Sequence, residues 1–148
     1  MSQPPDRSTD AEFRLRSSTS DLTLRIFNLR DYFYTVELEC ATFRIARDVC
    51  REDNIFINYK NLPQFFHDLA TQRKPWAGTK EWYSFEHEFK ISAACDIMGH
   101  ITLAILIRKR DGSPEEWELQ ADLQSELGQM PAAAASVEKF FEINSHAA

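Results

Sequence analysis

Hydrophobic residues change period along this chain. Several early stretches alternate every second residue, as half-buried strands do. "EFRLRS" puts Phe13 and Leu15 on one face, and "DLTLRIF" groups Leu22, Leu24 and Ile26. "YTVELEC" sets Tyr34, Val36, Leu38 and Cys40 against Thr35, Glu37 and Glu39. "TFRIARDV" adds Phe43 and Ile45, while "NIFINY" is too short to assign. From Tyr83 the odd positions read Tyr83, Phe85, His87, Phe89, Ile91, Ala93 and Cys95, against Ser84, Glu86, Glu88, Lys90 and Ser92. This predicts one strand over 83–95, with His87 as a core histidine. Ile101, Leu103, Ile105 and Ile107 alternate next, then Trp117, Leu119, Ala121 and Leu123. Three successive strands with one apolar face each predict a meander that packs one side on the core.

Two segments have helical period. "NLPQFFHDLATQR" spaces Leu62, Phe65, Phe66, Leu69 and Ala70 along one stripe. Asn61 suits the N-cap, Gln64 the reciprocal capping position and Pro63 the first turn, while Pro75 ends the run. "MPAAAASVEKFFEI" repeats the plan with Val137, Phe140 and Phe141. The spacing predicts helices over 61–73 and 131–142, each with a Phe-Phe pair as core anchor. The order of four or five strands, helix, three strands and helix predicts an α+β domain. Its antiparallel sheet of six to eight strands packs with the two helices. Residues 1–10, polar and Pro-rich, are read as a disordered tail, 11–143 as a single domain, and 144–148 as a C-terminal tail.

Composition narrows the functional classes. The chain has 148 residues, eleven of them Phe, and a formal charge of −6. That suits one domain with a large core, and an acidic surface disfavours nucleic acid while suiting a basic partner. Cys40, Cys50 and Cys95 fit no metal-binding spacing. They are expected as buried free thiols in a reducing cytoplasm. No signal-peptide pattern opens the chain, and the Ile101–Ile107 run is too short to span a bilayer.

Candidate chemistry centres on "CDIMGHITLAILI". Pairing Cys95 with Ile101 leaves Asp96-Ile97-Met98-Gly99-His100 as a loop, which suits a turn followed by a positive-φ residue. Asp at the first turn position and Gly at the positive-φ position both serve that geometry. His100 as a metal or catalytic residue would need partners. His67 is placed on a helix, His87 on a strand and His146 in the tail. No cofactor or metal is therefore expected. Glu86 with Glu88, and Glu116 with Glu118, read as solvated strand-face pairs.

In the next hairpin, pairing Ile107 with Trp117 would set Arg108 between Glu88 and Glu116. That arrangement leaves Glu86, Glu118 and Asp122 as acidic surface. Trp76 and Trp82 flank a glycine. Trp82, on the even phase, is a candidate binding residue beside these carboxylates, the alternative being that both tryptophans lid the core edge.

Three sets of residues carry a resemblance. Phe65, Phe66, Leu69 and Ala70 are followed by Trp76, Gly78, Trp82, Ser84 and Glu86, then by Asp96, Gly99, His100 and Leu103. In order and spacing this is similar to a family of small bacterial proteins of unknown function, over about residues 60–142. The plan is also similar to that of immunity proteins of bacterial toxin systems. The resemblance implies a cytoplasmic, non-enzymatic domain that binds a basic protein such as a toxin domain, without nucleic acid or membrane. It implies no catalytic residue. Trp76, Trp82, Glu86, Glu118 and Asp122 are the candidate partner-binding residues. The rival reading is a small enzyme or ligand-binding domain built on the Asp96/His100 turn or the sheet-face carboxylates.

Overall fold

A computed structural model describes residues 11–51 and 60–145. The predicted tails and "NIFINY" lie outside these residues, apart from 144 and 145, which belong to the last helix. Four strands come first: β1 (Glu12–Arg16), β2 (Thr23–Phe27), β3 (Phe33–Glu39) and β4 (Arg44–Cys50). Helix α1 (Leu62–Thr71) follows. Next come β5 (Thr79–Tyr83), β6 (Phe89–Cys95), β7 (His100–Lys109) and β8 (Trp117–Glu126), and α2 (Met130–Ser145) closes the order. The fold is α+β, as the patterning predicts, but the strands divide between two antiparallel sheets of four, each in sequential order.

One hydrophobic core joins the inward residues of both sheets and both helices. Phe66 of α1 packs edge-on against Phe13 of β1, and Phe141 of α2 against Tyr34 of β3. Phe65, Phe66, Phe140 and Phe141 are all buried, so both Phe-Phe pairs act as anchors. Asn61 and Gln64 form the reciprocal cap of α1, each side chain accepting from the other residue's backbone N–H at 2.9 Å. The helix ends at Thr71, short of Pro75.

The predicted strand over 83–95 is two strands. Ser84 N–H donates to Phe89 O at 2.8 Å, and His87 N–H donates to Ser84 O at 2.9 Å. These bonds fold 84–88 into a tight turn. The turn pairs Trp82 with Ile91 and Tyr83 with Lys90, so residues of opposite parity share a face. Trp82 therefore points into the core, 4 % exposed, and Tyr83 points out. His87 is not a core histidine. It sits exposed in the turn at φ 63°, its ring stacked on Tyr83.

In the β6–β7 hairpin Cys95 pairs with Ile101 and Ile91 with Ile105, as predicted. The β7–β8 hairpin is shifted by two residues from the expected register: Ile107 pairs with Leu119 and Arg108 with Glu118. A slip of two keeps every side chain on its face, so the apolar phase alone could not separate the two registers. The longer loop decides it. There Gly112 N–H donates to Glu116 Oε2 at 3.0 Å, and Ser113 N–H to Asp111 Oδ1 at 3.0 Å.

The outer face of the first sheet is closed by an ion-pair chain. Arg25 bridges Glu12 (Nη2 to Oε2, 2.7 Å) and Glu37 (Nη1 to Oε1, 2.8 Å), and Arg44 Nε holds the second Glu37 oxygen at 2.8 Å. The Glu37 side chain is wholly buried beneath them. Among the described residues no helix is long and apolar enough to cross a membrane. The three cysteines are free; Cys50 and Cys95 are buried as expected, but Cys40 is half-exposed and contacts the Thr42 hydroxyl at 3.2 Å.

Candidate functional site

Two of the five predicted residues, Glu118 and Asp122, share the outer side of the second sheet, away from the core. Register places Lys90, Ser92 and Ala94 of β6 there, next to Thr102, Ala104, Leu106 and Arg108 of β7. Glu118, Gln120 and Asp122 of β8 continue it, all exposed. Small side chains at the middle leave the face low, with charges along β8.

The charges do not fall as expected. Arg108 does not lie between Glu88 and Glu116. Its Nε donates to His87 O at 2.7 Å, and its Nη1 is 4.0 Å from Glu118 Oε1. Arg110 also reaches Glu118, at 3.3 Å. Glu116 is drawn into the β7–β8 loop. Glu88 is buried, its carboxylate accepting the Ser84 hydroxyl, so Glu86 and Glu88 are not a solvated pair. Glu118 is thus largely neutralised. Asp122 and Glu86 remain exposed and form no ion pair among the described residues.

The two tryptophans support the fold. Trp82 Nε1 donates to Lys60 O at 2.8 Å, and its ring packs edge-on to Phe89. A buried indole with a satisfied N–H offers no surface to a partner, which removes Trp82 from the candidate residues. Trp76 is half-buried; its Nε1 donates to Ala93 O at 3.2 Å, and Lys80 Nζ sits 5.4 Å over the ring. Both tryptophans therefore line the β5 edge of the core. The site residues do not converge: Glu118 and Asp122 share a face of β8, while Glu86 sits in the β5–β6 turn.

At the β6–β7 turn, Asp96 Oδ1 accepts from the N–H groups of Met98 and His100, each at 2.9 Å. Gly99 N–H donates to Asp96 O at 3.0 Å, and Gly99 has φ 84°. This is the expected turn with a positive-φ glycine. The His100 N–H, helped by that of Met98, holds the Asp96 carboxyl below its ordinary pKa. The His100 ring nitrogens face Asp96 Oδ2 at 3.2 Å and Glu126 Oε2 at 3.9 Å. Among the described residues no hydroxyl or thiol bonds to the ring, so the ring has no nucleophile beside it to activate. Among the described residues no three His, Cys, Asp or Glu side chains form a set that could hold a metal ion.

Among the described residues are a cleft of about 250 Å³ lined by Arg14, Asp21, Arg25, Glu39 and Cys40 and, for the rival reading, one of about 260 Å³ beside Trp82, Ser84 and His87. In the latter the Ser84 hydroxyl is engaged by Glu88 and by Phe89 N–H at 3.0 Å, and His87 is stacked on Tyr83. The serine is a turn brace, and no activated nucleophile results.

A family model described as a family of unknown function (DUF6228) matches residues 14–144. The chain belongs to that family. The match extends over both sheets and both helices, well beyond the second half that carries the recognisable words. No curated protein and no solved structure matches the chain. Within this DUF6228 chain those words are mainly structural. Phe65, Phe66, Leu69, Trp82 and Leu103 are buried, Gly78 and Gly99 hold positive φ, and Asp96 caps a turn. Glu86 is the exception, exposed and without a bonding role.

Proposed function

We propose that this domain acts by binding a basic protein and that it carries out no catalysis. The observation that carries this reading is the outer side of the second sheet. It is a four-strand surface turned away from both helices, low at its middle, with Asp122 unpaired along β8. The net charge of −6 gives the same sign over the whole chain and favours fast encounter with a cationic partner. The likeness in plan to immunity proteins names one such partner, a bacterial toxin domain. In that case the domain would neutralise the toxin by occupying its surface.

The test uses a basic, toxin-like protein encoded beside this gene. Co-expression should protect cells from it. The association rate should fall as salt rises and should fall again in Glu118→Lys/Asp122→Lys, with folding unchanged. A partner that binds at the same rate to the double variant removes this face from the reading. A neighbouring protein that neither binds nor loses toxicity argues against the immunity role.

A further inference from the structure

The two most exposed large hydrophobic side chains of the described residues are neighbours. Ile97 is 91 % exposed and Met98 74 % exposed, both at the tip of the β6–β7 turn. Nothing in the turn's geometry asks for apolar residues there. Asp96 and Gly99 set the backbone, and polar residues serve the two central positions equally well. The tip is also held firmly. Besides the bonds to Asp96, Leu127 N–H donates to Gly99 O at 2.9 Å, tying the turn to the end of β8. Two apolar side chains therefore stand largely uncovered on a rigid support, a costly display unless something covers them.

The charge around the tip indicates what fits. Asp96 is in the turn, and Glu126 lies beside His100 at the end of β8. Within the hairpin no lysine or arginine occurs over 96–107, and Lys80 of the neighbouring β5, paired with Ala93, is held over the Trp76 ring. Asp122 continues the acidic edge on the same outer face.

We propose that Ile97 and Met98 are the apolar anchor of an interaction surface that enters a hydrophobic pocket rimmed by Lys or Arg on a protein partner. This rests on the protein-binding reading and adds to it the point of insertion. Asp96 and Glu126 would meet the basic rim, and the unpaired Asp122 of β8 would steer the approach. Pre-ordering by Asp96 lowers the entropic cost of docking the tip.

The probe is a display library of random peptides, selected on the full chain at low salt. Selected peptides should combine large apolar residues with Lys or Arg. Their affinity should fall about tenfold or more in Ile97→Ser/Met98→Ser, since each buried side chain contributes on that scale. Urea denaturation of that variant should match the wild type, because neither side chain is packed. Peptides without basic residues, or peptides that bind the tip variant equally well, overturn the proposal. Loss of binding in Glu118→Lys/Asp122→Lys but not in the tip variant overturns the anchor while leaving the binding reading in place. Two further results would also overturn it by naming another occupant. One is a wild-type dimer in sedimentation that the tip variant dissolves. The other is tip-dependent binding to phosphatidylcholine–phosphatidylglycerol vesicles.

Discussion

Glu37→Gln tests whether the ion-pair chain on the first sheet stabilises the fold. The substitution keeps the shape of a side chain that is wholly buried and removes its charge. Both charge-assisted bonds, from Arg25 and Arg44 at 2.8 Å, lose their anionic acceptor: the amide oxygen can accept from one arginine, while the NH2 group faces the other. The Arg25 side chain is 22 % exposed and keeps Glu12, so losing its inner partner should cost about 1.5–3 kcal/mol. Arg44 is 66 % exposed and can turn to water, so its bond counts as a surface pair of about 0–1 kcal/mol. The expected loss is about 1.5–4 kcal/mol, read as a lower urea midpoint at unchanged slope. Arg44→Met should cost about 1 kcal/mol at most. The pH dependence has a definite sign. Burial raises the Glu37 pKa, but the bonds from Arg44 and Arg25 outweigh it and hold the folded value below the ordinary one. The contribution is therefore complete above the ordinary carboxylate pKa and is lost as pH falls through the depressed value. The gap between wild type and Glu37→Gln should close in acid. A gap that persists there, or an Arg44→Met cost equal to that of Glu37→Gln, would refute the argument.

Gly99→Ala should destabilise by roughly 1–2 kcal/mol, the cost of a left-handed backbone for a residue with Cβ. The added carbon itself meets only Leu127 Cβ at an ordinary 3.8 Å, so strain and not a clash should appear in denaturation. Asp96→Ala should speed amide exchange at Met98 and His100, the two N–H groups it accepts from, and lower stability above the aspartate range. Because the folded Asp96 pKa is depressed, that difference should shrink as pH falls below the range.

Where a local signal and the tertiary fold agreed, the sequence was legible. The strands before α1, both Phe-Phe anchors and the Asn61 cap could be read because period, capping chemistry and packing point the same way. The β5–β6 turn could not. "SFEHE" holds no Gly, Pro or Asn, and its residues continue the alternation of β6 without a break. The fold closes this turn with a Ser84 hydroxyl and a positive-φ His87. That reversal of parity moved Trp82 inward and buried Glu88, which removed two residues from the surface the alternation predicted. The register of the β7–β8 hairpin was illegible for another reason: two registers differing by two residues satisfy the same apolar face.

The two outer faces of the fold also differ in what their charges do, a difference composition could not disclose. On the first sheet Glu12, Arg25, Glu37 and Arg44 alternate in sign and satisfy one another, burying a carboxylate in the process. A face whose charges are mutually spent has little left for a partner, and disturbing it should change stability first. On the second sheet Arg108 is turned to a backbone carbonyl, Glu118 takes two arginines, and Asp122 is left facing water. Changes there should alter binding before they alter stability. The β6–β7 turn of this sheet carries the exposed Ile97 and Met98, so Asp122 and the most exposed apolar pair belong to the same sheet, whereas Tyr32 and Phe33 are exposed beside the first. If binding is the role of this domain, the first sheet supports the second without contacting the partner. Under that reading Glu37→Gln should weaken folding yet leave the association rate of the folded fraction unchanged, whereas Asp122→Lys should do the reverse.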